Sequence, residues 1–307
     1  MLSARPLLPP YDPAVPVRTL TAPDGRNLHV HEGGDPAGYP VVYHHGTPSE
    51  GLLYRRWIDD AAERGVRLVG YDRAGYAGSS PKPGRSVGDV AADVEAITDQ
   101  LGFERFATWG ISGGGPHALA CAALLPDRVA AAASLAAVAP YDADGLDWLA
   151  GMGEDNVAEF GAALEGRHAL ERWMDVHVPG LRSADASSIA EQLRSLLSAV
   201  DRAALTGELA GALAGSMQAA IRERVDGWVD DDLAFVSSWG FDLGEISIPV
   251  QLWQGDHDLF VPPSHGAWLA DRIPGVDARL SGEDGHMTLM ARRIPEVHAW
   301  LLGHATR

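Results

Sequence analysis

Apolar residues recur along this chain at two spacings, and the change from one to the other marks its elements. Residues 17–20 and 27–32 are short extended runs flanking Pro23-Asp24-Gly25, a hairpin signal. Residues 41–44, 67–71, 105–109 and 129–138 are compact apolar runs bounded by turn formers, and they predict buried strands. Between them, 52–64, 87–101 and 116–125 predict helices. Val90, Val94, Ile97 and Leu101 show the helical spacing most plainly. Strand spacing returns at 248–253 and 276–280, with helices predicted over 264–272 and 295–302.

Strand and helix alternate, which is the pattern of an α/β fold with a mostly parallel central sheet flanked by helices. Ligands of such sheets bind outside the carboxyl ends of the strands. The loops beginning at His45, Asp72, Ser112 and Pro140 all fall on that edge. The alternation breaks between residues 141 and 240, where no strand is convincing. Helices are expected there over 146–149, 157–164, 190–200, 205–213 and 217–229. The expected organisation is therefore a core made of 1–140 and 241–307, with 141–240 inserted as a helical cap.

One stretch carries a chemical signal. Gly110-Ile111-Ser112-Gly113-Gly114 spells G-x-S-x-G between a predicted strand and a predicted helix, the context that motif requires. A serine on so sharp a turn is forced towards a sparsely populated backbone conformation. Gly110 and Gly114 lack side chains because strand and helix pass close there. The hydroxyl would stand above the sheet edge, at a helix N-terminus that favours developing negative charge.

With this stretch, three others resemble the α/β-hydrolase family, in the order that fold requires and over nearly the whole chain. His45-Gly46-Thr47-Pro48 resembles the family's HG-x-P oxyanion loop. Gly255-Asp256-His257-Asp258 resembles its acid turn, and Gly285-His286 its histidine loop. The resemblance implies an α/β-hydrolase fold with a helical lid and a triad of Ser112, His286 and Asp258. It also implies an oxyanion hole built from the N–H groups of Thr47 and Gly113, with His45 and Gly46 supporting that loop. Pro48 has no N–H to give. Asp256, and Asp142 or Asp144, are rivals to Asp258. Among the twelve histidines, His117 lies one turn into the helix after Ser112 and could line a pocket.

Composition narrows the partners. The 307 residues carry a formal charge of −18, which argues against nucleic acid and anionic membranes. Residues 141–240 hold 18 Asp or Glu against 7 Arg, so −11 of that charge lies there. Most of it reads as a solvated exterior, but carboxylates facing a pocket would attract a cationic substrate group. Asp230-Asp231-Asp232 is a candidate cluster for that, or one that simply solvates. The single cysteine, Cys121, excludes a disulfide framework and reads as a core residue. Residues 1–16 hold one early arginine and several prolines, unlike a secretory leader. No stretch reaches the roughly eighteen apolar residues of a membrane span, so the expected address is the cytoplasm. No cofactor and no metal is expected. A small-molecule substrate is the expected partner, and nothing in the sequence sets an oligomeric state.

The resemblance spans many chemistries. Haloalkane dehalogenases and epoxide hydrolases need a carboxylate where Ser112 stands. Proline iminopeptidases carry an acidic lid but typically a tryptophan after the serine, where this chain has Gly113. Carbon–carbon bond hydrolases usually have a methionine there. The expectation is a serine hydrolase of a carboxylic ester or related acyl bond, of small to medium size. The alternatives are an iminopeptidase-like enzyme that binds a free amine and, in another class, a small-molecule receptor on the same fold.

Overall fold

The computed structural model describes residues 15–305. Most of the stretch read as lacking a leader lies outside the described residues. Eight strands form one sheet: β1 (Val17–Thr21), β2 (Asn27–Gly34), β3 (Tyr39–His44), β4 (Val66–Tyr71), β5 (Phe106–Ile111), β6 (Val129–Leu135), β7 (Val250–Gly255) and β8 (Asp277–Ser281). Their order is β1-β2-β4-β3-β5-β6-β7-β8. β2 is antiparallel to both its neighbours, and every pairing from β4 to β8 is parallel. The strands from β3 to β8 therefore end on one rim, and the loops after β3, β5, β7 and β8 carry the residues singled out above.

The burial of each strand follows from its place. All six residues of β5 and all seven of β6 are buried, as unbroken apolar runs covered on both faces must be. Outermost β1 and β8 have no fully buried residue. One face is covered by α1 (Arg55–Glu63) and α12 (Ile294–Ala305), through Trp57, Val297 and Leu301. α2 (Val90–Gln100), α3 (Gly114–Leu124) and α10 (Pro263–Arg272) cover the other, through Val94, Leu119 and Leu269. Trp109 is fully buried, its ring centroid 4.5 Å from that of Tyr43 and 5.2 Å from that of Trp57. Cys121 is a buried core residue.

Between β6 and β7 the chain forms only helices among the described residues. They are α4 (Glu154–Glu165), α5 (Arg167–Ser183), α6 (Ile189–Gln192), α7 (Ala199–Ala204), α8 (Gly207–Ile221) and α9 (Asp226–Phe235). A 3₁₀ turn over Leu243–Glu245 follows, and α11 (His286–Arg292) comes after β8. The elements differ from the sequence expectation in five places, one of them α11, a helix where none was expected. Residues 146–149 form turns, not a helix. The helix expected over 190–200 is split into α6 and α7, because Ser198 accepts the Asp201 N–H at 3.3 Å and starts a new helix there. Residues 207–221 run as one helix across the break expected after 213, and a second starts at 226. α5 was not among the expected helices, and Pro179-Gly180 lies inside it. Its buried face, Leu170, Met174, Val178 and Leu181, has the helical period nonetheless. No helix of the described residues is long and apolar enough to cross a membrane.

Candidate active site

Ser112 follows β5 directly and sits at φ +54°, the left-handed region that residues with side chains rarely enter. Its N–H donates to Leu135 O at 2.8 Å, and its carbonyl accepts from Gly115 N at 2.9 Å. These bonds hold the strand-to-helix turn closed. A Cβ on Gly110 would stand 2.0 Å from Gly114 O, and one on Gly114 would stand 2.0 Å from His44 O. The motif's two glycines are thus fixed by contact of backbone with backbone.

The loop after β3 lies against this turn. A Cβ built on Gly113 would meet Thr47 Oγ1 at 2.2 Å, and one on Gly46 would lie 3.4 Å from Ser112 Cβ. Among the described residues, neither the Thr47 nor the Gly113 N–H donates to a protein acceptor. A buried ion cluster holds the loop in place. Arg73 donates to the carbonyls of His45 and Gly46 and to Thr47 Oγ1. Thr47 Oγ1 in turn donates to Asp231 Oδ2 at 2.6 Å. Asp231 also pairs with Arg73 at 2.6 Å and Arg85 at 2.6 Å, and accepts from Tyr76 OH at 2.8 Å. Burial opposes its charge, but the two guanidinium groups outweigh it and hold the carboxyl well below the usual carboxylate range. His45 is pushed well below its ordinary value by burial and Arg73. The neutral ring accepts from Arg73 N–H at 3.0 Å and donates to Gly46 O at 2.7 Å.

Asp258 follows β7 and His286 follows β8. His286 Nδ1 lies 2.8 Å from Asp258 Oδ2. The other oxygen of Asp258 accepts from the N–H groups of Phe260 at 2.9 Å and Val261 at 2.8 Å. With both oxygens engaged, the carboxylate can turn only by breaking bonds. Phe260 stacks on the imidazole, with ring centroids 4.5 Å apart. Burial pulls the His286 pKa down, but the charge and hydrogen bond of Asp258 and the charge of Asp201 prevail, and the net direction is upward. Among the described residues no hydrogen bond joins Ser112 Oγ to His286. Such bonds are commonly long in unliganded sites and tighten with substrate.

Asp201, a residue the sequence did not single out, anchors the histidine. It lies on α7, fully buried. Oδ2 accepts the His286 N–H at 3.0 Å, and Oδ1 accepts those of Met287 at 2.8 Å and Thr288 at 3.1 Å. It caps the turn that presents the imidazole, from an element 85 residues away.

A pocket opens over Ser112, with about 890 Å³ of empty space including its mouth. Ser112, Thr47 and Gly113 form its floor, and α4, α5, α8 and α9 supply most of its walls. Asp155, Glu159 and Asp232 face into it.

The rivals are placed elsewhere. Asp256, Asp142 and Asp144 are exposed, and none bonds His286. His117 is buried beneath the turn, its Nδ1 2.7 Å from Gly113 O, and does not line this pocket. The triplet Asp230-Asp231-Asp232 is not a solvated patch; all three are buried. Asp230 pairs with Arg167, Asp231 serves the oxyanion-type loop, and Asp232 faces the pocket. Asp72 and Arg73 order their loop, but not through each other. Asp72 bonds His29, His31 and the N–H groups of Gly51 and Gly78. That His29, His31, Asp72 group has the spacing of metal ligands, although Asp72 already has four donors. The sequence named Asp231 only as one of that triplet and Asp201 not at all, because their partners are remote in sequence.

The sequence pattern of the family described as alpha/beta hydrolase fold matches residues 39–292. Among curated proteins, the chain is similar to a non-heme chloroperoxidase of Streptomyces lividans, 33% identical over 153 residues, which are 49% of this chain and 55% of that protein. It is also similar to a probable proline iminopeptidase of Streptomyces coelicolor, 37% identical over 122 residues, covering 37% of this chain and 36% of that protein. The chain thus spans about half or less of the length of these relatives. Of solved structures, a bromoperoxidase from Bacillus anthracis is similar in fold, with a TM-score of 0.68 at 23% identity over 94% of this chain and 100% of that one.

Proposed function

The chain belongs to the alpha/beta hydrolase fold family, and from that premise we propose that it hydrolyses a carboxylic ester or related acyl bond of a small to medium substrate, with Ser112, His286 and Asp258 as its triad. The observation that carries this reading is the doubly held Asp258 carboxylate, bonded at 2.8 Å to His286 Nδ1 on the rim where Ser112 stands in a left-handed turn. Residues 141–240 act as a cap that encloses the substrate and sets its size.

Ser112 Oγ attacks the carbonyl carbon while His286 takes its proton at Nε2. Asp258 holds Nδ1 protonated, so that Nε2 is free to accept, and stabilises the imidazolium that forms. The oxyanion is received by the free N–H groups of Thr47 and Gly113. Loss of one such donor typically costs roughly 10²–10³ in rate. Collapse expels the alcohol, which takes the proton from His286 and leaves an acyl group on Ser112. Water then attacks that ester, gives its proton to His286, and the acid departs as the proton returns to Ser112. No metal or cofactor enters these steps.

The test is labelling by a fluorophosphonate together with turnover of short-chain 4-nitrophenyl esters. Labelling and turnover both lost in Ser112→Ala support the reading. Labelling without turnover of any ester, amide or lactone would favour a receptor, and no labelling at all would end the proposal.

A further inference from the structure

One residue joins the acid turn, the histidine and the inserted segment, and the steps above make no use of it. Phe260 stands two places beyond Asp258, and its N–H donates to Asp258 Oδ1 at 2.9 Å. Its ring lies over the imidazole of His286, with centroids 4.5 Å apart and planes 23° from parallel. Its carbonyl accepts from Asn156 Nδ2 at 3.0 Å, and Asn156 belongs to the first turn of α4. That turn is itself tied down at two further points. The N–H of Gly153, just before α4, donates to Leu259 O at 2.8 Å. Ser195 Oγ donates to Asp155 Oδ2 at 2.5 Å.

The bond from Nδ1 to Asp258 fixes one point of the imidazole and leaves the ring plane free to tilt about it. A flat neighbour against the ring face removes that tilt, and so fixes where Nε2 points. The stack also favours the charged ring, because the negative π face attracts an imidazolium more than a neutral imidazole. We infer that Phe260 is a positioning residue for His286, and that Asn156 of the inserted segment holds Phe260 in place. The effect on rate rests on the hydrolase reading; the stack and its effect on the imidazole charge do not. The charged groups that face His286 are Asp258, after β7, and Asp201, on α7. Neither is altered by the substitutions that follow.

Phe260→Leu keeps an apolar side chain and removes the π face. With 4-nitrophenyl acetate, whose acyl group ends in a single methyl, kcat should fall about 10-fold or more while KM stays within about 2-fold. The acid limb of kcat/KM should move to lower pH by roughly 0.4–1.5, the range of a cation–π contact. Phe260→Tyr keeps a ring on the imidazole and should restore most of kcat and the position of the limb. Asn156→Ala should lower kcat by a smaller factor. Combined with Phe260→Leu it should cost clearly less than the product of the two separate losses, because both act through one ring.

Histidine NMR on the full chain, with His286→Ala to assign the signal, reads the imidazole pKa without any turnover. It should fall in Phe260→Leu and hold in Phe260→Tyr. An unmoved pKa in Phe260→Leu, or a rise in KM with kcat unchanged, overturns the inference. Fully multiplicative losses in the double variant overturn the part given to Asn156. A lowered pKa in a protein whose Ser112 takes no fluorophosphonate would overturn the hydrolase reading and leave the stack standing.

Discussion

Replacing Asp201 tests whether the histidine is positioned by the segment between β6 and β7. Asp201→Ala leaves three buried N–H groups, those of His286, Met287 and Thr288, without their acceptors. At about 1–3 kcal/mol for each unsatisfied group, the loss is at least about 3 kcal/mol, a large part of a typical folding free energy. Asp201→Asn is the sharper probe. Its single carbonyl oxygen can keep Met287 and Thr288, while its NH₂ then faces the His286 N–H, donor against donor. That bond is lost, at about 1–3 kcal/mol, the Ser198 hydroxyl that donates to the same oxygen at 2.9 Å must turn to accept instead, and the imidazole shifts. Displacements of about 1 Å near a reacting centre cost roughly 10² in rate. The substitution also removes a negative charge that raises the His286 pKa. The expected result, in kcat/KM for 4-nitrophenyl acetate against pH, is a fall of about 10–100-fold with the acid limb moved to lower pH. Urea unfolding measured alongside separates the positional from the global loss. An Asn variant with unchanged kcat/KM and an unmoved limb, whatever its stability, would refute the reasoning.

Four other outcomes are expected. In the wild type, His286 must be neutral to accept a proton, and its folded pKa is raised, so kcat/KM should climb with pH through a midpoint above the unperturbed value of about 6.5; a flat profile from pH 5 to 8 would count against it. Asp231→Asn leaves Arg73 and Arg85 buried against a neutral amide, and should cost about 3–5 kcal/mol in urea unfolding at pH 7. Because the folded Asp231 pKa is depressed, that contribution is present above its unfolded value near 3.8 and is lost as pH falls below it, so the gap between variant and wild type should narrow only in strong acid. Gly110→Ala places a Cβ against the Gly114 carbonyl, and should lower the melting temperature and abolish fluorophosphonate labelling together. Ester turnover should be unchanged after exhaustive chelation, which also asks whether the His29, His31, Asp72 group holds an ion that matters.

The inner strands of the sheet were legible because each is a local apolar run. Ser112 was named from its G-x-S-x-G stretch, and Asp258 and His286 from the resemblance of the loops after β7 and β8, three and five residues beyond the strand ends. The helical stretch was read less well. Its helices are amphipathic against one another, and their boundaries depend on caps such as Ser198 and on a tolerated Pro179, which periodicity does not reveal. Charge was the least legible of all. Asp230, Asp231 and Asp232 look identical in sequence, and only the partners folded around them give them three different environments.

Such partners tie the helical segment to the rim at several points. α7 holds the His286 turn through Asp201, and α9 holds Thr47 through Asp231. Lifting the segment as a rigid body would therefore break three buried bonds to the histidine turn and strip the counter-charge from Arg73. At about 1–3 kcal/mol for each bond and about 3–5 kcal/mol for the ion pair, such a move would cost roughly 6–14 kcal/mol, comparable to the whole stability of a domain. α4 is tied to the rim as well: Asn156 Nδ2 donates to Phe260 O at 3.0 Å, and the Gly153 N–H at its start donates to Leu259 O at 2.8 Å. Phe260 stacks on the His286 ring, so a displacement of α4 is felt at the imidazole.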